Sequence, residues 1–230
     1  MTADHALVDA VTEGLRSLAD PAAAPQMQRY MKSAMPYLGV KMPVVRQLTR
    51  RLYAEHVLAD RATWEDTVRA LFDQATYREE RYAALMLVGH RRYAYYLDAA
   101  ALPLLEHVIA AGAWWDIVDD VSHRVGDALR TDRRATEAVV RGWIGADDIW
   151  LRRAAIICQL GHRTDTDVTL LQDAILPAMH EREFFLRKAI GWALREYAKT
   201  DPDWVRRFVA THQEELSALS RREALRNLPG

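Results

Sequence analysis

Trp150-Leu151-Arg152-Arg153-Ala154-Ala155-Ile156 returns 35 residues later as Phe185-Leu186-Arg187-Lys188-Ala189-Ile190. An aromatic, a Leu, two basic residues, a small residue and an Ile recur in the same order. Stepping back by the same interval reaches Trp115 and then Glu80, each near the start of a run with helical periodicity. These earlier stretches, Asp116-Ile117-Val118-Asp119 and Arg81-Tyr82-Ala83-Ala84-Leu85, match in pattern only. A period of about 35 residues holding two helices is the sequence mark of a stacked helical array, in which each unit buries its apolar face on the next.

The rest of the chain agrees. Ala6, Leu7, Val11, Leu15 and Leu18 stand at helical spacing in the first predicted helix, Ala3–Ala19, which Asp20-Pro21 ends. Twelve more helices are predicted: Pro25–Met35, Val44–Val57, Thr63–Phe72, Tyr77–Arg91, Asp98–Ala111, Trp114–Leu129, Asp132–Ile144, Asp148–Leu160, Asp167–Met179, Arg182–Lys199, Pro202–Thr211 and Glu214–Asn227. Thr63-x-x-Asp66 reads as a capping-box-like start. No strand pattern and no low-complexity linker stands out. The tetratricopeptide signature Trp-x-x-Leu-Gly and the ankyrin Thr-Pro-Leu-His are both missing. The expectation is an all-α, curved α-solenoid of HEAT-like repeats forming one domain over residues 1–230.

Placed in the 35-residue frame, the unusual residues converge. Trp115 has offset 0 and Asp119 offset 4; Arg153 has offset 3; Lys188, Trp192 and Arg195 have offsets 3, 7 and 10. All of these lie on one face of a helix. Trp115, Asp119, Arg153, Trp192 and Arg195 should therefore line one groove across three successive repeats. Within Gly112-Ala113-Trp114-Trp115-Asp116-Ile117-Val118-Asp119-Asp120, Trp114 points about 100° away from Trp115, so one indole packs inward while the other stands beside an acid. Each residue alone has a plainer explanation. A Trp at helical spacing is most often core. Arg153 is most often a solvated or inter-repeat ion-pair residue, and Asp119 a partner for an Arg of the next repeat. Their coincidence in one frame is what points to a site.

The totals narrow the field. A chain of 230 residues, 50% hydrophobic and 27% charged, has ample core. Its net charge of −1 lacks the strong basic excess of a simple nucleic-acid binder, so DNA binding would rest on a locally basic face. Arg187, Lys188, Arg206, Arg207, Arg221, Arg222 and Arg226 can supply one. The single Cys158 sits in an apolar run and reads as an inert buried thiol, in keeping with a reducing, cytoplasmic setting. The start, MTADHALVDA, does not read as a signal peptide, and no apolar run approaches the roughly 18 residues of a membrane span. Eight His residues form no His-Glu-x-x-His, and neither Cys-x-x-Cys nor Gly-x-Ser-x-Gly occurs. No cofactor and no metal is expected.

Ala113-Trp114-Trp115-Asp116-Ile117-Val118-Asp119, Ile149-Trp150-Leu151-Arg152-Arg153-Ala154 and Ile190-Gly191-Trp192 together resemble the HEAT-repeat bacterial DNA alkylation-repair glycosylases, the AlkD family. Arg29-Tyr30-Met31-Lys32 and Leu219-Ser220-Arg221-Arg222-Glu223-Ala224 resemble it too. The resemblance implies a monomeric enzyme that releases positively charged alkylated purines, such as 3-methyladenine and 7-methylguanine, from double-stranded DNA, with no membrane partner. It implies catalytic roles for Trp115, Asp119 and Trp192. It implies DNA contacts by Arg153 and Arg195, with Lys188 on the same face, Tyr30 near the lesion, and Lys41 where the family carries a polar residue. The reading that competes with it is a non-catalytic repeat module that binds damaged DNA or a protein, which needs the groove but not the acid.

Overall fold

The computed structural model describes residues 2–228, and among them every regular element is helical. Contacts divide the chain into two compact units, one ending at Tyr96 and the other beginning at Leu97.

The first unit holds α1 (His5–Ser17), α2 (Ala24–Met31), α3 (Met42–Glu55), α4 (Arg61–Asp73) and α5 (Arg78–Val88), followed by a 3₁₀ segment over Arg91–Tyr96. Leu7, Val11 and Leu15 of α1, Val45 of α3 and Trp64 and Phe72 of α4 are fully buried in its core. Glu79 is also fully buried, and its carboxylate accepts hydrogen bonds from the backbone N–H groups of Leu38, Gly39 and Val40 at 2.9–3.1 Å. This one side chain ties the segment before α3 onto α5. Gly39 lets the segment pass: its φ is 87°, and a Cβ there would meet the Asp20 carbonyl oxygen at 2.1 Å.

The second unit holds α6 (Leu102–Gly112), α7 (Trp115–Thr131), α8 (Arg133–Ile144), α9 (Ile149–Ile157), α10 (Val168–Ile175), α11 (Phe184–Tyr197), α12 (Pro202–Thr211) and α13 (Ala218–Leu225). Here the packing alternates. α7 packs on α9, α9 on α11 and α11 on α13, while α6, α8, α10 and α12 precede them and lean on their neighbours. This stacking of every second helix on the next is consistent with an α-solenoid. Ile156, Ile175, Leu186, Ile190, Leu194 and Val205 form part of its core.

Asp residues start many of these helices, and Asp132, Asp148 and Asp167 are also where the sequence pattern places the starts. The carboxylates of Asp4, Asp60, Asp132, Asp148, Asp167 and Asp201 each accept from a backbone N–H two or three residues on. Two local readings need correction. α4 is capped by Asp60 and not by Thr63, while Asp66 accepts from Thr2. The predicted helix Tyr77–Arg91 stops at Val88, and Arg91–Tyr96 tightens into a 3₁₀ turn whose Tyr93 hydroxyl is held by the Leu58 backbone N–H. Glu80, the first mark of the repeat, is a buried residue that accepts from Thr76 and Tyr77 N–H groups at the start of α5.

Removing the Glu79 carboxylate strands three buried donors. Glu79→Ala is expected to lower unfolding stability by at least about 3 kcal/mol, read as a shift of the urea midpoint. A change within about 0.5 kcal/mol would mean that water satisfies the loop.

Candidate active groove

The frame that brings the site together is set by helix starts rather than by the aromatics. The N-caps of α7, α9 and α11 are Trp114, Asp148 and Glu183. Counted from these, Asp119, Arg153 and Lys188 are equivalent, each on the second turn of its helix. The aromatic marks slip against this count. Trp114, not Trp115, is the partner of Trp150 and Phe185: the three rings lie 4.9–5.9 Å apart, centroid to centroid. The slip has a local cause. Ala113, the C-cap of α6, takes a left-handed conformation (φ 38°), and Trp114 then runs extended before α7 begins. Trp114 thus becomes the inward indole, and Trp115 opens onto the groove.

One cavity of about 330 Å³ is lined by Trp115, Asp119, Arg153, Phe184, Phe185, Lys188, Trp192, Arg195 and Glu223, all within the second unit. Trp115 and Asp119 are one turn apart on α7. Trp192 sits on α11, half-buried against the core beneath it. Phe184, at the first position of α11, is 55% exposed.

At the centre, Arg153 Nε and Nη2 donate to the two oxygens of Asp119 at 2.7 and 2.9 Å. Its Nη1 donates to the Phe185 carbonyl at 2.6 Å. The Arg153 side chain is 5% exposed and that of Asp119 17%. Paired forks of this kind fix both groups in position. Burial nevertheless lifts the Asp119 carboxyl above its ordinary value, because desolvation outweighs the hydrogen bonds and charge of Arg153 that hold it down. The Arg153 donors are thus committed to Asp119 and to the α11 backbone, the inter-repeat ion pair that the plainer reading of the two residues describes.

A second ion cluster flanks this pair. Glu223, from α13, accepts from Lys188 Nζ at 3.2 Å and from Arg195 Nη1 at 2.5 Å. Neither Phe184 nor Glu223 is among the site residues expected from the sequence, although Glu223 stands in the Leu219–Ala224 stretch that carries the resemblance. Glu223 had a signal, for it lies one period beyond Lys188. Phe184 had none, since it precedes the repeating mark by one residue. Tyr30 and Lys41 belong to the first unit. Tyr30, on α2, is 78% exposed, and Lys41 is the exposed N-cap of α3.

Cys158 is buried and free, and burial pushes its thiol up to about 12. Among the described residues no group of three or more His, Cys, Asp or Glu side chains is placed to hold a metal ion. No helix there is long and apolar enough to cross a membrane.

A family model described as DNA alkylation repair enzyme matches residues 11–228. The chain belongs to this family. Membership of the DNA alkylation repair enzyme family gives it a role in repair of alkylated DNA. Among solved structures, a predicted DNA alkylation repair enzyme from Enterococcus faecalis is similar, with a TM-score of 0.82 and 29% identity over 91% of this chain and 96% of that one. The comparison with curated proteins finds no match.

The Asp119–Arg153 pair makes a pH prediction. Because the folded-state pKa of Asp119 is raised, ionised Asp119 costs stability at higher pH, and that cost is relieved as the pH falls through the raised value. Arg153→Ala removes the nearest compensating charge. The Asp119 carboxyl, followed by NMR titration, should then titrate at still higher pH than in the parent protein. An unmoved titration would show that Arg153 does not govern it.

Proposed function

We propose that the chain is a DNA glycosylase that releases positively charged alkylated purines, of the 3-methyladenine and 7-methylguanine kind, from double-stranded DNA. The observation that carries this reading is one cavity holding two indoles, Trp115 and Trp192, beside a carboxylate, Asp119, whose both oxygens are fixed. An alkylated purine already carries positive charge and leaves readily, so protonation of the base is not needed. The sugar needs help instead, since it becomes oxocarbenium-like as the glycosidic bond breaks. Asp119 is the stabiliser of that charge, preorganised by Arg153 so that little rearrangement accompanies the reaction. Trp115 and Trp192 supply faces for the deoxyribose and for a cationic nucleotide. Arg153 serves by positioning Asp119, and its contact with phosphate would require the pair to open. Lys188 and Arg195 are the phosphate contacts, and Tyr30 and Lys41 add contacts from the first unit. Beyond the groove, Arg206, Arg221 and Arg222 line a further cavity of about 470 Å³ with Val209, Ala210, Gln213 and Leu225, which extends the basic surface of the second unit.

The non-catalytic reading keeps one observation on its side. The Asp119–Arg153 fork is also what an inter-helix ion pair of purely structural origin would look like. Single-turnover base release from methylated duplex DNA separates the two. Release well above the uncatalysed rate is expected, slowed in Trp115→Ala and Trp192→Ala. Tight duplex binding without release would assign the groove to recognition alone.

A further inference from the structure

Glu223 is placed in the groove by a close approach of two helices. Gly191 faces it: a Cβ at Gly191 would stand 2.6 Å from the Glu223 Cβ and 3.0 Å from the Ser220 carbonyl oxygen. Ser220, fully buried, donates from its hydroxyl to the Arg187 carbonyl at 2.9 Å and locks α13 onto α11. The Glu223 side chain is consequently 12% exposed, with one oxygen on each cation. A carboxylate bridging an ammonium and a guanidinium offers these donors the same kind of partner as the two non-bridging oxygens of a phosphodiester. Lys188, 40% exposed, is free to swing towards solvent. Of the five charged side chains lining the cavity, Asp119 and Arg153 satisfy each other. Lys188 and Arg195 are the two that remain for DNA, and both are held by one internal anion.

Resting on the DNA-binding reading above, we propose that Glu223 is a specificity-determining residue that occupies, in the free protein, the place a backbone phosphate takes between Lys188 and Arg195. Duplex binding is then an exchange of one anion for another. The exchange lowers affinity for every duplex. It matters most for undamaged DNA, which offers the groove nothing else and vastly outnumbers damaged sites. Release of Lys188 and Arg195 is coupled to engagement of the groove instead of being available to any passing phosphate. Burial and the two cations act oppositely on the Glu223 carboxyl, and the cations prevail, holding it below the ordinary range, so the anion is in place throughout the neutral range.

The test is duplex binding by fluorescence anisotropy across a salt series, with an undamaged and a methylated oligonucleotide. Glu223→Gln keeps size and shape but removes the charge that competes with phosphate. Freeing one further phosphate contact should steepen the log affinity against log salt slope by about 0.9, an affinity gain of roughly eightfold at 0.1 M salt that fades as salt rises. The gain should be larger on undamaged than on methylated duplex, and equal gains on the two would overturn the specificity role. Glu223→Asp, which retains the charge, should stay nearer the parent protein than Glu223→Gln does. Weaker binding by a folded Glu223→Gln would show that Glu223 orders Lys188 and Arg195 for DNA, and an unchanged slope would show that these cations do not meet phosphate; either result overturns the proposal. A parent protein that binds neither duplex would instead overturn the DNA-binding reading on which it rests.

Discussion

The carboxylate of Asp119, gripped at both oxygens by the guanidinium of Arg153, joins α7 to α9 at the floor of the groove. The third donation from Arg153, to the Phe185 carbonyl, joins both to the start of α11. Three helices that stack in succession, α7, α9 and α11, are thus registered by one side chain. The energetic sense of the pair is not simple attraction. Burial pushes the Asp119 carboxyl up while the hydrogen bonds and charge of Arg153 pull it down. An acid held beside two indoles is what the proposed stabilisation of a cationic sugar requires.

The fold was legible because its signals are local and redundant. Apolar spacing set the helices, and Asp residues before the runs marked their starts. The convergence of residues on the candidate groove was legible for a different reason. Asp119, Arg153 and Lys188 keep the same distance from their helix starts, so a periodic frame finds them even when its aromatic marks slip by a residue. What the frame missed depended on contacts across helices. Glu79 reads as one more acid in an Arg-Glu-Glu-Arg run, yet it caps three backbone donors of a distant segment. The pairing of Arg153 with Asp119 was open to the sequence only as the plainer reading of each residue, an inter-repeat ion pair, since a sequence gives an arginine's position but not the direction of its guanidinium. Ala113 in a left-handed conformation, the cause of the aromatic slip, has no sequence signature because Gly is the usual residue there.

The two ion clusters of the groove share a logic. Each holds a cation against a carboxylate from an adjacent stacked helix, Arg153 with Asp119 of the preceding α7 and Lys188 and Arg195 with Glu223 of the following α13. A chain with a net charge of −1 can thereby carry the cations of the proposed DNA contacts without a large unpaired positive field. The clusters differ in burial. The Arg153 pair is closed in and suited to hold geometry, whereas Lys188 reaches solvent and is suited to exchange partners.

The central claim is that Asp119 acts on charge that develops as the glycosidic bond breaks, and single-turnover release of an alkylated purine at saturating Asp119→Asn protein tests it most directly. Asn keeps the size of the side chain and one acceptor oxygen but no charge. The account predicts a rate reduced by up to about 10²–10³, less to the extent that the cationic base departs unaided, with duplex affinity retained. A folded Asp119→Asn protein, verified by circular dichroism, that releases base at the parent rate would contradict it and leave Asp119 as an ion-pair partner alone.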